Sequence, residues 1–137
     1  MLSVEILGLP ALIDKLNRLD ASLDVEDILD ESEALLLNRI RTRFLTQEDP
    51  DGNTWKPSQR ALITGGKTLF KTGTLFHSIQ AHTTAPNERT ISTDVFYGPF
   101  HQFGTKRMVR RAFLGFNDED LYLAERRVLQ RVMEAIA

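Results

Sequence analysis

Ser78-Ile79-Gln80-Ala81-His82-Thr83-Thr84 and Arg89-Thr90-Ile91-Ser92-Thr93-Asp94-Val95, joined by Ala85-Pro86-Asn87-Glu88, decide how this chain is read. In the second segment Thr90, Ser92 and Asp94 alternate with Ile91, Thr93 and Val95. That period of two gives a strand one polar and one apolar face. The two segments are expected to form a β-hairpin. Downstream, Tyr97 to Phe103 is aromatic-rich and broken by Gly98-Pro99, and a basic stretch leads to Ala112-Phe113-Leu114-Gly115-Phe116, which suggests a further strand. A last helix is expected to begin near Asn117 or Asp118, with acids in its first turn. It would bury Leu121, Ala124, Val128, Val132 and Ile136, which recur at helical spacing.

Upstream, Asp49-Pro50-Asp51-Gly52-Asn53 is a turn, because Pro fixes φ and Gly supplies positive φ. Before it lie two helical patterns. Leu9, Leu12, Ile13, Leu16 and Leu19 form one, with Pro10 in its first turn. Ile28, Leu29, Leu35, Leu36, Ile40 and Phe44 form the other, with Asp24 as a competent N-cap and Arg39, Arg41 and Arg43 near its end. They are either a helical pair or one longer bent helix. Between Lys56 and Thr68 the pattern is irregular, with Gly65-Gly66 marking a flexible loop. Helices, a strand group and a helix without regular βαβ alternation imply α+β. The expected fold is a small, mainly antiparallel sheet packed with a long N-terminal helix or helices and a C-terminal helix. Residues 1–137 read as one domain, with projecting loops at about 56–68 and 104–111.

The chain holds 42% apolar and 26% charged residues and no cysteine, which excludes disulfide stapling and thiolate metal sites. No basic region precedes the first apolar residues and Glu5 follows at once, so no secretory signal is read. No apolar run approaches the roughly 20 residues that span a bilayer. A cytosolic place of synthesis and no membrane partner are therefore expected. Residues 1–36 carry nine acids against Lys15 and Arg18, a net −7, while the rest carries fifteen Lys and Arg against ten acids. This asymmetry either orients neighbouring subunits or partners or is two solvated faces.

Searches for catalytic chemistry return little. Gly65-Gly66-Lys67-Thr68 ends like a phosphate-binding loop, but Ala61 stands where the first glycine belongs and no helix is expected after Thr68. His77 and His82 would point to opposite faces of a strand, and no HExxH spacing occurs. His101 serves as a general base only if a nucleophile or water lies beside it. Asp49 with Asp51, and Asp118 with Asp120, are explained by a turn and a helix start. Lys106, Arg107, Arg110 and Arg111 form the strongest local charge feature, open to DNA, an acidic protein or solvent. Trp55 is either a core-edge anchor or an interface anchor.

Three blocks, taken in order, carry a resemblance. They are Asp49-Pro50-Asp51-Gly52-Asn53-Thr54-Trp55-Lys56-Pro57; Leu69-Phe70-Lys71-Thr72-Gly73-Thr74-Leu75 with Ser78-Ile79; and Tyr97-Gly98-Pro99-Phe100-His101-Gln102-Phe103-Gly104-Thr105 continued by Arg111-Ala112-Phe113-Leu114-Gly115. Together they resemble the phage virion morphogenesis family, the tail-completion proteins of Mu-like and P2-like contractile-tailed phages. Gly98 stands where the family usually has Ala, and Met108 to Ala112 lacks the family's prolines. The resemblance implies a virion protein at the tail's head-proximal end or neck, with neither catalysis nor cofactor. It implies a homo-oligomeric ring, a hexamer by the tube's symmetry, meeting tail tube or terminator and neck or connector proteins. DNA would pass through its lumen. Candidate subunit or partner contacts are Trp55, Lys67, Lys106, Arg107, Arg110 and Arg111. Gly52, Gly73, Tyr97, His101, Gln102, Phe103, Gly104, Phe113 and Leu114 are expected to be structural. A positive φ is expected at Gly104.

Overall fold

The computed structural model describes residues 2–5, 25–85 and 88–136. The expected helix over Leu9 to Leu23, the Asp24 cap and the hairpin tip at Pro86-Asn87 lie outside them. Helix α1, Val25–Thr46, has acids in its first turn and Arg43 in its last, the favourable sense for the helix dipole. Leu36, Ile40 and Phe44, four residues apart, are all fully buried, with Ile28 and Leu29 beside them. Phe44 is the hub. Its ring meets Trp55 at 5.4 Å, Phe76 at 5.5 Å and Phe113 at 5.9 Å, all edge-on.

Strands β1 (Leu2–Glu5), β2 (Gln80–Ala85) and β3 (Glu88–Thr93) form an antiparallel sheet in the order β1-β3-β2. The expected hairpin is present as β2 and β3, with Ile91 opposite Ala81 and a register shift between Thr83 and Ala85. Two corrections follow from β1, which places Val4 opposite Ile91. The sheet gains a strand too short for its periodicity to show in sequence. As the middle strand, β3 buries Thr90 and Ser92 along with Ile91 and Thr93, so its polar face is not solvated. The hydroxyls find partners instead: Thr90 pairs with Thr84 at 3.0 Å and Thr93 with Ser78 at 2.6 Å. Asp94, beyond the strand, is exposed.

Three short helices were not foreseen. The irregular 56–68 connection contains α2 (Gln59–Thr64), capped by the Ser58 hydroxyl at its start and by left-handed Gly65 at its end. Thr74–Ser78 forms α3, so His77 lies on a helix rather than a strand. Gly98–Phe103 forms α4, with Pro99 in its first turn. Ala112 to Phe116 is not a strand; it runs outside the sheet. The last helix, α5 (Asp118–Ile136), packs on α1 and buries Ala124 and Val128, with Val132 partly covered. Leu121 is exposed, contrary to the expected stripe.

Ion pairs fix α1 in place. Arg89 of β3, 3% exposed, meets Glu26 at 2.7 Å, Asp30 at 3.0 Å and Glu33 at 3.0 Å along one face of α1. Arg127 and Arg131 of α5 reach Glu31, and Arg131 also reaches Asp27. Five acids of the acidic N-terminal third are thus answered within the chain. Among the described residues, the acidic charge of α1 therefore acts inside the fold.

Asn117 and Asp120 cap α5 reciprocally: the Asp120 amide donates to Asn117 Oδ1 at 2.8 Å, and the Asn117 amide donates to Asp120 Oδ2 at 3.1 Å. Asp120 is fully buried and also accepts from Arg43 and, at 2.6 Å, from Arg39 Nε. Burial alone would raise its carboxyl; the bonds from Arg43, Arg39 and Asn117 outweigh that and hold it below the usual carboxylate range. Asp118 and Asp120 are therefore a helix start and an ion-pair centre.

Candidate functional site

The third sequence block is held together by one of its own side chains. Gln102, on α4, accepts the amides of Phe113 and Leu114 through Oε1, each at 3.0 Å, and donates Nε2 to the Leu114 carbonyl at 2.7 Å. These bonds replace the ladder that a strand at 112–116 would have used. Phe113 is fully buried against Phe44, and Leu114 is buried beside it. Trp55 donates Nε1 to the Ala112 carbonyl at 2.8 Å, and Arg111 donates Nε to the Lys56 carbonyl at 2.6 Å. The Asp49 turn is held to the same segment by Asn117 Nδ2, which donates to the Pro50 carbonyl at 2.9 Å. In that turn Gly52 has φ +88° and donates to the Asp49 carbonyl.

Gly104 closes the loop after α4 at φ +74°, as expected. A Cβ there would lie 3.0 Å from both the Arg110 nitrogen and the Met108 carbonyl oxygen. Those are backbone atoms and have nowhere to go. Gly104→Val is therefore expected to lose at least about 2 kcal/mol, read from urea unfolding, since it adds positive-φ backbone strain to a clash. Gly73, at φ +80°, starts α3 close against the His77 ring. Gly98 is buried, and a Cβ would press on Thr93 Cγ2 at 3.1 Å, which accounts for the smallest residue following Tyr97.

Of the expected contact residues, Trp55 is 4% exposed and belongs to the core edge, not to a partner surface. Arg111 is half-buried and tethered as above, and Arg110 donates Nε to the Gln102 carbonyl at 3.1 Å. Lys67, Lys106 and Arg107 are exposed. The four-residue basic cluster thus splits into two structural arginines and two free to meet a partner. The expected structural residue Phe103 is mostly exposed. Together with Phe96 and Phe100 it leaves three aromatic rings at helical spacing facing outward, a signal available in the sequence but not used.

His101 is half-buried, and its ring stands edge-on to Tyr97 at 5.9 Å. Its Nδ1 is enclosed without a hydrogen-bond partner among the described residues. Burial, aided by the charge of Arg111, pushes its imidazole below the ordinary value of about 6.5. The unfolded chain then takes the proton first, so His101 is expected to cost stability as pH falls below that ordinary value. Ring-proton NMR should show it titrating below 6.5. His101 lines a cavity of about 380 Å³ together with Tyr97, Arg60, Lys71 and Arg111. A larger hollow of about 800 Å³ along α5 and Leu35 is a shallow apolar groove. Among the described residues no three His, Asp or Glu side chains gather as metal ligands would, and no helix is long and apolar enough to cross a membrane.

The sequence model of the phage virion morphogenesis family matches residues 8–134. The chain belongs to that family. Comparison with curated proteins and with solved structures gave no match. Membership gives this virion morphogenesis protein a part in building a phage particle. The geometry gives the family-like blocks their physical meaning: in this morphogenesis protein the first and third supply the bonds that hold segment 111–115, and Leu75 and Ile79 of the second lie in the core beside Phe113.

Proposed function

We propose that this protein is a non-enzymatic structural component that completes the phage tail at its head-proximal end or neck, as a homo-oligomeric ring through which head and tail join. The observation that carries this reading is the division of labour around α4. Gln102, Gly104, Arg110 and Arg111 are spent on fixing backbone. Meanwhile Leu62, Ile63, Phe96 and Phe103 stand more than half exposed on short helices and loops. Exposed apolar side chains on a rigid scaffold suit contact with other chains. Light scattering and negative-stain microscopy, alone and with purified tail tubes, should show rings or protein bound at tube ends. A monomer that ignores tube ends would contradict the reading.

A second reading, a DNA-contacting connector component, is favoured by exposed Lys106 and Arg107, which form no ion pair with any described residue. Binding would weaken steeply with salt, and the Lys106→Ala, Arg107→Ala double variant should flatten the slope. Absence of DNA affinity at low salt would remove it.

A further inference from the structure

The cavity beside His101 is lined by cations and by no acid. Arg39, Arg43, Arg89, Arg127 and Arg131 each meet a carboxylate. Arg60, Lys71 and Arg111, which line the cavity, meet none among the described residues, and no acid lines it with them. Arg60 and Arg111 spend hydrogen bonds on carbonyls, Lys67 at 2.7 Å and Lys56 at 2.6 Å, which fixes their place without cancelling their charge. Leu69, Leu75 and Tyr97 supply apolar wall, and the enclosed His101 Nδ1 is a polar atom still to be satisfied.

We infer that this cavity receives an acidic peptide segment of a different protein, a carboxylate side chain flanked by an apolar residue. Three cations converging on a partly apolar recess match that pair, since a carboxylate there gains charge-assisted hydrogen bonds away from bulk water. A recess of about 380 Å³ takes one or two side chains. A duplex phosphate backbone is met by many cations spread along an extended face, which a recess of this size does not offer. The α1 acids of this chain are already engaged by Arg89, Arg127 and Arg131, so the acidic helix of a second copy does not supply the carboxylate. The inference rests on the reading that this protein works by contact with other virion proteins. It does not require a ring.

The test is an NMR titration of the full chain with the capped peptide acetyl-Ala-Leu-Asp-Leu-Ala-amide. Saturable shifts should centre on Leu75, Tyr97 and His101, and the His101 imidazole should titrate at higher pH once the cavity is filled. Lys71 is exposed and its side chain forms no hydrogen bond or ion pair with any described residue, so Lys71→Glu should keep the fold and weaken binding by at least about tenfold. Lys71→Arg should restore it. Equal binding of the Asn-for-Asp peptide, no shift at those residues up to millimolar peptide, or preferential occupation by a hexathymidylate oligonucleotide would overturn the inference. So would loss of self-association in Lys71→Glu, which would make a second copy the occupant. The titration uses isolated protein, so its failure leaves the tube-end result to stand or fall separately.

Discussion

Asp120→Ala is expected to lose about 3–5 kcal/mol of folding stability, because it strands the Arg43 guanidinium in the core. Arg43 is 5% exposed and its remaining bond, to the Gly115 carbonyl at 3.2 Å, is weak compensation. The same change removes half of the reciprocal cap on α5 and one partner of Arg39. Asp120→Asn keeps the shape and a side-chain acceptor, so it should cost less than Ala, and the gap between the two measures the charge. The carboxyl is held below its ordinary range in the fold. Its contribution is therefore full above the unfolded carboxylate pKa of about 3.9 and is lost as pH falls through the depressed folded value. Chemical denaturation at neutral pH should show the whole difference between the natural protein and Asp120→Asn. The same comparison at strongly acid pH should show it shrinking. A constant difference across pH would mean that the ion pair is not what holds α5 to α1.

Gln102→Ala should cost about 2–4 kcal/mol, since it leaves two amides and one carbonyl at Phe113 and Leu114 unpaired beside the core at roughly 1–3 kcal/mol each, part of it recovered by entering water. Gln102→Glu keeps the acceptor for both amides but loses the donor to Leu114, and should fall between. Hydrogen exchange gives the sharper reading. Amides of Phe113 and Leu114 should lose protection in Gln102→Ala while those of α1 keep theirs, because the damage is local to the 104–115 segment. Equal loss of protection throughout would mean that the motif glutamine carries no more of the loop than any other core residue.

How far these features could be read from sequence depends on how local their cause is. Helix α1 and helix α5 were visible because burial repeats every three or four residues and charges at their ends agree with the dipole. Gly104 was visible because a glycine between an aromatic run and a basic loop marks a backbone turn. The Ala112–Phe116 strand was misread because an apolar run says only that a segment is buried. Which groups satisfy its backbone, here Gln102 and Trp55, depends on residues about 11 to 57 positions away. The short helices α2, α3 and α4 are too brief for periodicity and owe their place to caps and left-handed glycines. Strand β1 exists because β3 offers it an edge. The cavity is not legible in sequence, since Arg60 on α2, His101 on α4 and Lys71 and Arg111 in two loops meet only when four separate segments have folded together. Arg110 and Arg111 looked like free charge for the same reason.

The central claim is that this molecule joins parts of a virion by surface contact at one end of the tail. Cryo-electron microscopy of intact purified particles tests it most directly, by fitting this fold to density along the tail. The account predicts copies arranged around the tail axis at the head-proximal end, with α4 and the 104–111 loop against neighbouring chains. Density for this fold at the distal end, or particles that lack the protein altogether, would contradict it.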